Sequence, residues 1–261
     1  ADYFMNLVYD NPYFDIEFEE NLINIITIEN QNTFRKISAD IFSQSCGNFG
    51  GFKLSELDKD LSFNKYIDVI WNPFSVSCRD KKILTGVYNE LVSQSGLAYL
   101  IEREELINAY NKYLELITRM SSFALGYTPD IDIKMLFKLA DVHIIEEVDD
   151  AELVDRLINY LKAMHKICGI ELFIFLGLKN YFTDEDIAEF YKSCLYEKIH
   201  VLSIESTYRK SLQCEKMMII DKDDCIIEVW LTTVCQTEYS VRTFLNLGFE
   251  SLVNLKDVKH A

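Results

Sequence analysis

Two kinds of charged cluster in this sequence could do chemistry. Arg79, Lys81 and Lys82 put three positive charges within four positions at the start of a predicted helix. The positive end of the helix macrodipole lies there, so cations gain nothing from the helix itself. Such a cluster suits contacts to phosphate; the plain alternative is a solvated turn. Arg35 and Lys36, on an earlier predicted helix, form a second basic pair. The acidic counterpart is Asp130 and Asp132 together with Glu146, Glu147, Asp149 and Asp150. Folding could gather these carboxylates around a hard cation such as Ca²⁺, which takes about six to eight oxygens. The plain alternative there is helix capping and a charged, solvated bend.

The element that would position the first basic pair is Leu22–Phe42. It reads as an apolar strand over Leu22–Ile28, a polar bend over Glu29–Asn32, then an amphipathic helix with Phe34, Ile37 and Ile41 on one face. A strand running straight into a helix is where an α/β nucleotide-binding protein carries its phosphate loop. That loop needs glycines so that backbone N–H groups can approach the phosphates, a Lys to reach them and a Ser or Thr for Mg²⁺. Here the bend contains no glycine, and Glu29 puts a carboxylate where an anion would sit. The magnesium-holding acid is expected after the buried strand Leu172–Leu176, yet Gly177-Leu178-Lys179 follows. Frame without chemistry points to binding and away from nucleotide hydrolysis.

Other catalysis finds little support. His143, His165, His200 and His260 are scattered, with no G-x-S-x-G or H-E-x-x-H context. The seven cysteines show no C-x-x-C spacing, which fits reduced thiols in a cytoplasmic protein and makes a zinc site unexpected. No run reaches the ~18 apolar residues of a spanning helix, and the first residues lack a secretory pattern. A net charge of −16 excludes nucleic-acid binding over the whole surface. It leaves room for a local basic lining, because an acidic exterior confines nucleic acid to one channel by repelling it elsewhere.

Around these groups the pattern predicts strands at Leu7–Tyr9 and Phe14–Phe18 flanking the Asp10-Asn11-Pro12 turn, and a buried strand at Tyr66–Trp71. Cys46–Gly51 reads as a glycine-rich hairpin loop. Ile83, Val87 and Leu91 fall at helical spacing, and Gly96–Phe123 is the longest helical pattern. A short helix over Ile131–Ala140, a β-like run at Val142–Ile145 and a helix over Ala151–Ile167 follow, the last capped by Asp149 or Asp150. The two long helices suggest an antiparallel helical projection. Thr183 caps a helix over Asp184–Cys194, and Ile199–Ile204 is another buried strand. Met217–Ile220 and Cys225–Trp230 form a hairpin around Asp221-Lys222-Asp223-Asp224. That turn resembles the start of a calcium loop, but Ile226 stands at the glycine position and Thr232 at the bidentate acid position.

The order of these parts resembles the Csn-two family, the type II-A CRISPR-associated proteins of spacer acquisition. The carrying stretches are INIITIENQNTFRKI, IDVIWNPFSVSCRDKKILTGVYNEL, DIDIKMLFKLADVHIIEE, ELFIFLGLKNYFTDEDIAEFYK, IHVLSIES and MMIIDKDDCIIE, spread over Met5–Trp230. The resemblance implies a non-enzyme in which four subunits form a ring that threads double-stranded DNA ends. It implies calcium near the head–leg junction, carried over by location, and partnership with the integrase and effector nuclease of CRISPR adaptation. The expected fold is α/β, a degenerate P-loop-like head (5–95 and 169–230) with an inserted α-helical leg (96–168) and a C-terminal extension (231–261). Arg79, Lys81 and Lys82, then Arg35 and Lys36, are the expected phosphate contacts. The alternative is a divergent P-loop phosphotransferase or ATPase.

Overall fold

In a computed structural model, the structure describes residues 5–57, 59–145 and 153–229. Strands β1 (Met5–Asp10) and β2 (Tyr13–Phe18) form the expected hairpin, then β3 (Ile23–Ile28) leads into helix α1 (Gln31–Ser45). Next come β4 (Phe52–Glu56), β5 (Lys59–Leu61), the single turn α2 (Phe63–Tyr66) and β6 (Ile67–Ile70). Helices α3 (Lys81–Ala98), α4 (Leu100–Arg119), α5 (Ile133–Leu139) and α6 (Leu153–Cys168) precede β7 (Leu172–Leu176). The chain continues through α7 (Asp184–Tyr196), β8 (His200–Glu205), β9 (Glu215–Ile220) and β10 (Ile226–Val229).

Two sheets result. The six-stranded one has the order β10-β9-β3-β8-β7-β6, and only β10 is antiparallel to its neighbour. Its central strands are apolar on both faces, as a sheet covered twice must be. In LFIFL of β7, Phe173 and Phe175 face one core while Leu172 and Ile174 face the other. The first core is closed by α6, α7 and the start of α3, through Leu157, Leu161, Phe190 and Ile83. The second is closed by Ile37 and Ile41 of α1 and by the four-stranded sheet β2-β1-β4-β5. The fold is thus mixed α/β around a largely parallel sheet.

Several expectations need correction. The Cys46–Gly51 stretch is not a hairpin loop but the link from α1 to β4. Gln44 fastens it, with its Nε2 donating to the Phe52 carbonyl and its Oε1 accepting the Phe52 N–H, both at 2.9 Å. A Cβ on Gly51 would stand 2.6 Å from the Tyr9 ring, so glycine permits this close passage. Val142–Ile145 forms no strand: the segment after α5 is irregular. The long pattern Gly96–Phe123 is two helices, broken at Tyr99 (φ −128°, ψ 44°). Helix α6 lies on the sheet, with Val154, Leu157, Ile158, Leu161 and Met164 in the first core. Helix α4, by contrast, buries none of its residues. Thr183 and Asp186 form the expected reciprocal cap of α7. The cap expected from Asp149 or Asp150 lies outside the described residues, as do Glu146, Glu147 and the extension from Trp230 onward.

Candidate functional site

The bend examined in the sequence for a phosphate loop lies between the end of β3 and the start of α1. Asn30 is the N-cap, and its Oδ1 accepts the N–H groups of Asn32 (3.0 Å) and Thr33 (3.4 Å). These are two of the first-turn donors that a helix N-terminus would offer to an anion. The β9–β10 turn folds over the same spot: Asn30 Nδ2 donates to the Lys222 carbonyl (3.1 Å), and Thr33 Oγ1 donates to Asp224 Oδ1 (2.6 Å). Asp224 adopts φ +61°, within a turn held by Asp221 Oδ1, which accepts the N–H groups of Asp223 and Cys225. The Asp224 carboxylate therefore engages the Thr33 hydroxyl at the N-terminus of α1.

No acid follows β7, but a buried one ends β8, which lies beside β3 with β9 on the other side: Glu205, a residue that the sequence reading missed. Its signal was present, a carboxylate closing the apolar run of IHVLSIES. Glu205 Oε1 accepts Ser203 Oγ–H (2.7 Å) and the Lys179 N–H (3.1 Å). Burial dominates nonetheless and pushes its carboxyl above the ordinary range. Beside it, Lys179 Nζ pairs with Glu215 Oε1 at 2.6 Å, the two side chains 2% and 0% exposed. Tyr191 Oη–H and the Leu212 N–H also donate to Glu215, and burial raises the Tyr191 phenol well above its usual value. Arg209 closes the network from outside by donating to the Lys179 carbonyl and to Asn180 Oδ1 (3.1 Å).

The basic candidates separate into groups with different surroundings. Asp80 caps α3, its Oδ1 accepting the Lys82 N–H at 2.7 Å, and this cap offsets the two lysines at the helix start. Lys81 and Lys82 are exposed. Arg79 is engaged: Nη1 lies 3.2 Å from Asp141 Oδ2, and Nη2 lies 2.7 Å from His143 Nε2. It ties the approach to α3 to the segment after α5. Arg35 and Lys36 are exposed on α1, with Lys36 Nζ donating to the Asn11 carbonyl at 3.1 Å. Because α1 and α3 pack on opposite faces of the six-stranded sheet, the two basic groups of one subunit are not brought together.

Of the six candidate calcium ligands, Asp130 and Asp132 are described. Asp130 is exposed, and Asp132 caps α5 by accepting the Lys134 N–H at 2.9 Å. Two carboxylates, one of them a cap, do not make up the coordination shell that Ca²⁺ requires. No group of three or more His, Cys, Asp or Glu able to hold a metal occurs among the described residues. The six cysteines among them are free thiols, and no described helix is long and apolar enough to cross a membrane.

Fold and site together define a mixed α/β protein in which Asn30 and Asp224 engage donors at the N-terminus of α1. The chain belongs to the Csn-two family: the model described as CRISPR-associated protein (Cas_Csn2) matches residues 44–224. Its role is accordingly CRISPR-associated. No curated protein matches the chain. Among solved structures, it is similar to the ADP conformation of MJ1267, an ATP-binding cassette of an ABC transporter. The identity is 10%, the alignment covers 87% of this chain and 90% of that one, and the TM-score is 0.43. A likeness that loose carries no argument here.

Proposed function

We propose that this protein is non-enzymatic and binds double-stranded DNA ends, without regard to sequence, as a ring-shaped oligomer supporting spacer acquisition. The observation that carries the non-enzymatic part is the self-filled α1 N-terminus, where Asn30 and Asp224 take the donors that a nucleotide would need. DNA ends, the type II-A setting and the integrase and effector-nuclease partners are further parts of the proposal, supported by the CRISPR-associated family. In this reading α4 belongs to a helical leg projecting from a P-loop-like head. Its Leu106, Tyr110, Tyr113 and Ile117, with Met120 at its C-cap, recur at alternating steps of four and three, the spacing of a coiled-coil seam. All five are exposed, Tyr113 by 61% and Met120 by 81%, which favours a second copy of the chain as their cover. Calcium at the head–leg junction is part of the proposal, with ligands drawn from Asp130 and the acids at 146–150.

On an acidic protein, DNA contact must come from local cations, and Lys81 and Lys82 are an exposed pair. Phosphate contacts carry no sequence information, so unrelated duplexes are expected to bind alike. Affinity is expected to fall with salt, the log–log slope being about −0.9 per phosphate neutralised. Replacing Lys81 and Lys82 by Ala flattens that slope, whereas Arg79→Ala leaves it nearly unchanged, since Arg79 already faces Asp141 and His143. A slope insensitive to Lys81 and Lys82, measured by fluorescence anisotropy across a salt series, would refute this assignment.

A further inference from the structure

We propose that the groove between the free edge of β2 and the face of β3, β9 and β10 binds an extended, lysine- or arginine-rich segment of a partner protein. Strand β2 ends the four-stranded sheet, and no strand pairs with its outer edge among the described residues. The groove beside it has a volume of about 250 Å³ and is lined by Asp15, Glu17, Asn24, Lys216, Met218 and Glu228 among others. Three carboxylates thus meet one lysine, and Lys216 Nζ already lies 3.4 Å from Glu19 Oε1.

Asn24 supplies the second, independent feature. It is 3% exposed on β3 and lines the groove, yet its Nδ2 has no hydrogen-bond partner. A buried amide donor requires an acceptor, while the carboxylates require positive charge. A metal ion or a polyamine brings charge but no acceptor. Nucleic acid brings acceptors but the wrong charge. A basic polypeptide brings both: a backbone carbonyl for Asn24, cationic side chains for Asp15, Glu17 and Glu228, and main-chain groups that continue the β2 ladder. The groove opens on the face of the sheet opposite α3, so peptide and the proposed DNA contacts at Lys81 and Lys82 do not compete.

The test titrates the full-length protein into two fluorescein-labelled octapeptides, one alternating lysine with valine and one alternating glutamate with valine. Saturable anisotropy is expected for the basic peptide alone. Reversing Asp15 and Glu17 together (Asp15→Lys, Glu17→Lys) is expected to weaken it at least about tenfold. Reversing Glu104 and Glu105 on α4 tests whether net charge alone is responsible, and is expected to leave the affinity within about twofold. Asn24→Leu weakens peptide binding several-fold and raises the melting temperature, because an unpartnered donor has been removed. Peptides that bind alike, no binding at all (an edge merely guarded by charge), or equal losses from both reversals would overturn the proposal. Duplex DNA binding is expected to survive the Asp15 and Glu17 reversal, so the two readings fail separately.

Discussion

Replacing Lys179 by Met removes the cation from a side-chain pair that has almost no access to water. Glu215 would remain, 0% exposed, with only the Tyr191 hydroxyl and the Leu212 N–H to support its charge. Breaking one half of a buried ion pair costs about 3–5 kcal/mol, because the other charge stays uncompensated in a low-dielectric interior. Total stability for a folded domain is about 5–15 kcal/mol, so the variant should approach the edge of folding. With an m-value of about 3 kcal/mol/M, the urea midpoint should fall by roughly 1–2 M. Adding Glu215→Gln removes the stranded charge and keeps a hydrogen-bonding group for Tyr191, so the double variant should recover a substantial part of the loss. Far-UV circular dichroism against urea, at fixed pH and protein concentration, measures both. A loss below about 1 kcal/mol in Lys179→Met, or a double variant weaker than the single, would contradict a dry, paired site.

Glu205 gives a pH-dependent expectation. Its folded-state pKa is raised, chiefly by burial, so the folded protein holds that proton more tightly than the unfolded chain does. Stability from this group is therefore present at low pH and is lost as pH rises from the ordinary carboxylate range through the raised value. Glu205→Gln should be more stable than the parent at neutral pH, with the advantage fading on acidification; a difference that is flat with pH would refute this. At the other end of the site, ATP with Mg²⁺ at millimolar concentration should give no saturable heat by calorimetry. Asn30→Ala should cost about 1 kcal/mol of stability and still bind no ATP, since the Asp224 carboxylate remains. Hydrolysis abolished by Lys36→Ala would contradict the non-enzymatic reading.

The elements nearest the site were legible because their patterns are local. Ile23–Ile28 is an unbroken apolar run, and Ile37 and Ile41 repeat at helical spacing, so β3 and α1 follow from sequence alone. The glycine-free bend announced a missing phosphate loop. What replaces it could not be read, since Asn30 and Thr33 meet Lys222 and Asp224 across about 190 positions of chain. Strand order was equally hidden: β7 and β8 are both apolar, and only packing decides which lies beside β3. Strands β4 and β5 escaped notice because Lys53, Ser55, Lys59 and Asp60 interrupt their apolar residues. Val142–Ile145 has the right composition for a strand yet pairs with none, which composition alone does not decide. Lys179 entered only as part of a segment lacking a carboxylate, and its buried partner Glu215 is supplied by β9, 36 positions away in the chain.

In the proposed function, DNA ends enter a closed assembly. Linear duplex and covalently closed circles of the same length and sequence, compared by gel shift at low salt with calcium present and after chelation, test it most directly. The predicted result is retention of the linear duplex and poor binding of the circle, with chelation lowering the linear signal. Circles bound as tightly as linear DNA would contradict threading through a ring, and failure to retain linear duplex with calcium present would contradict DNA binding itself.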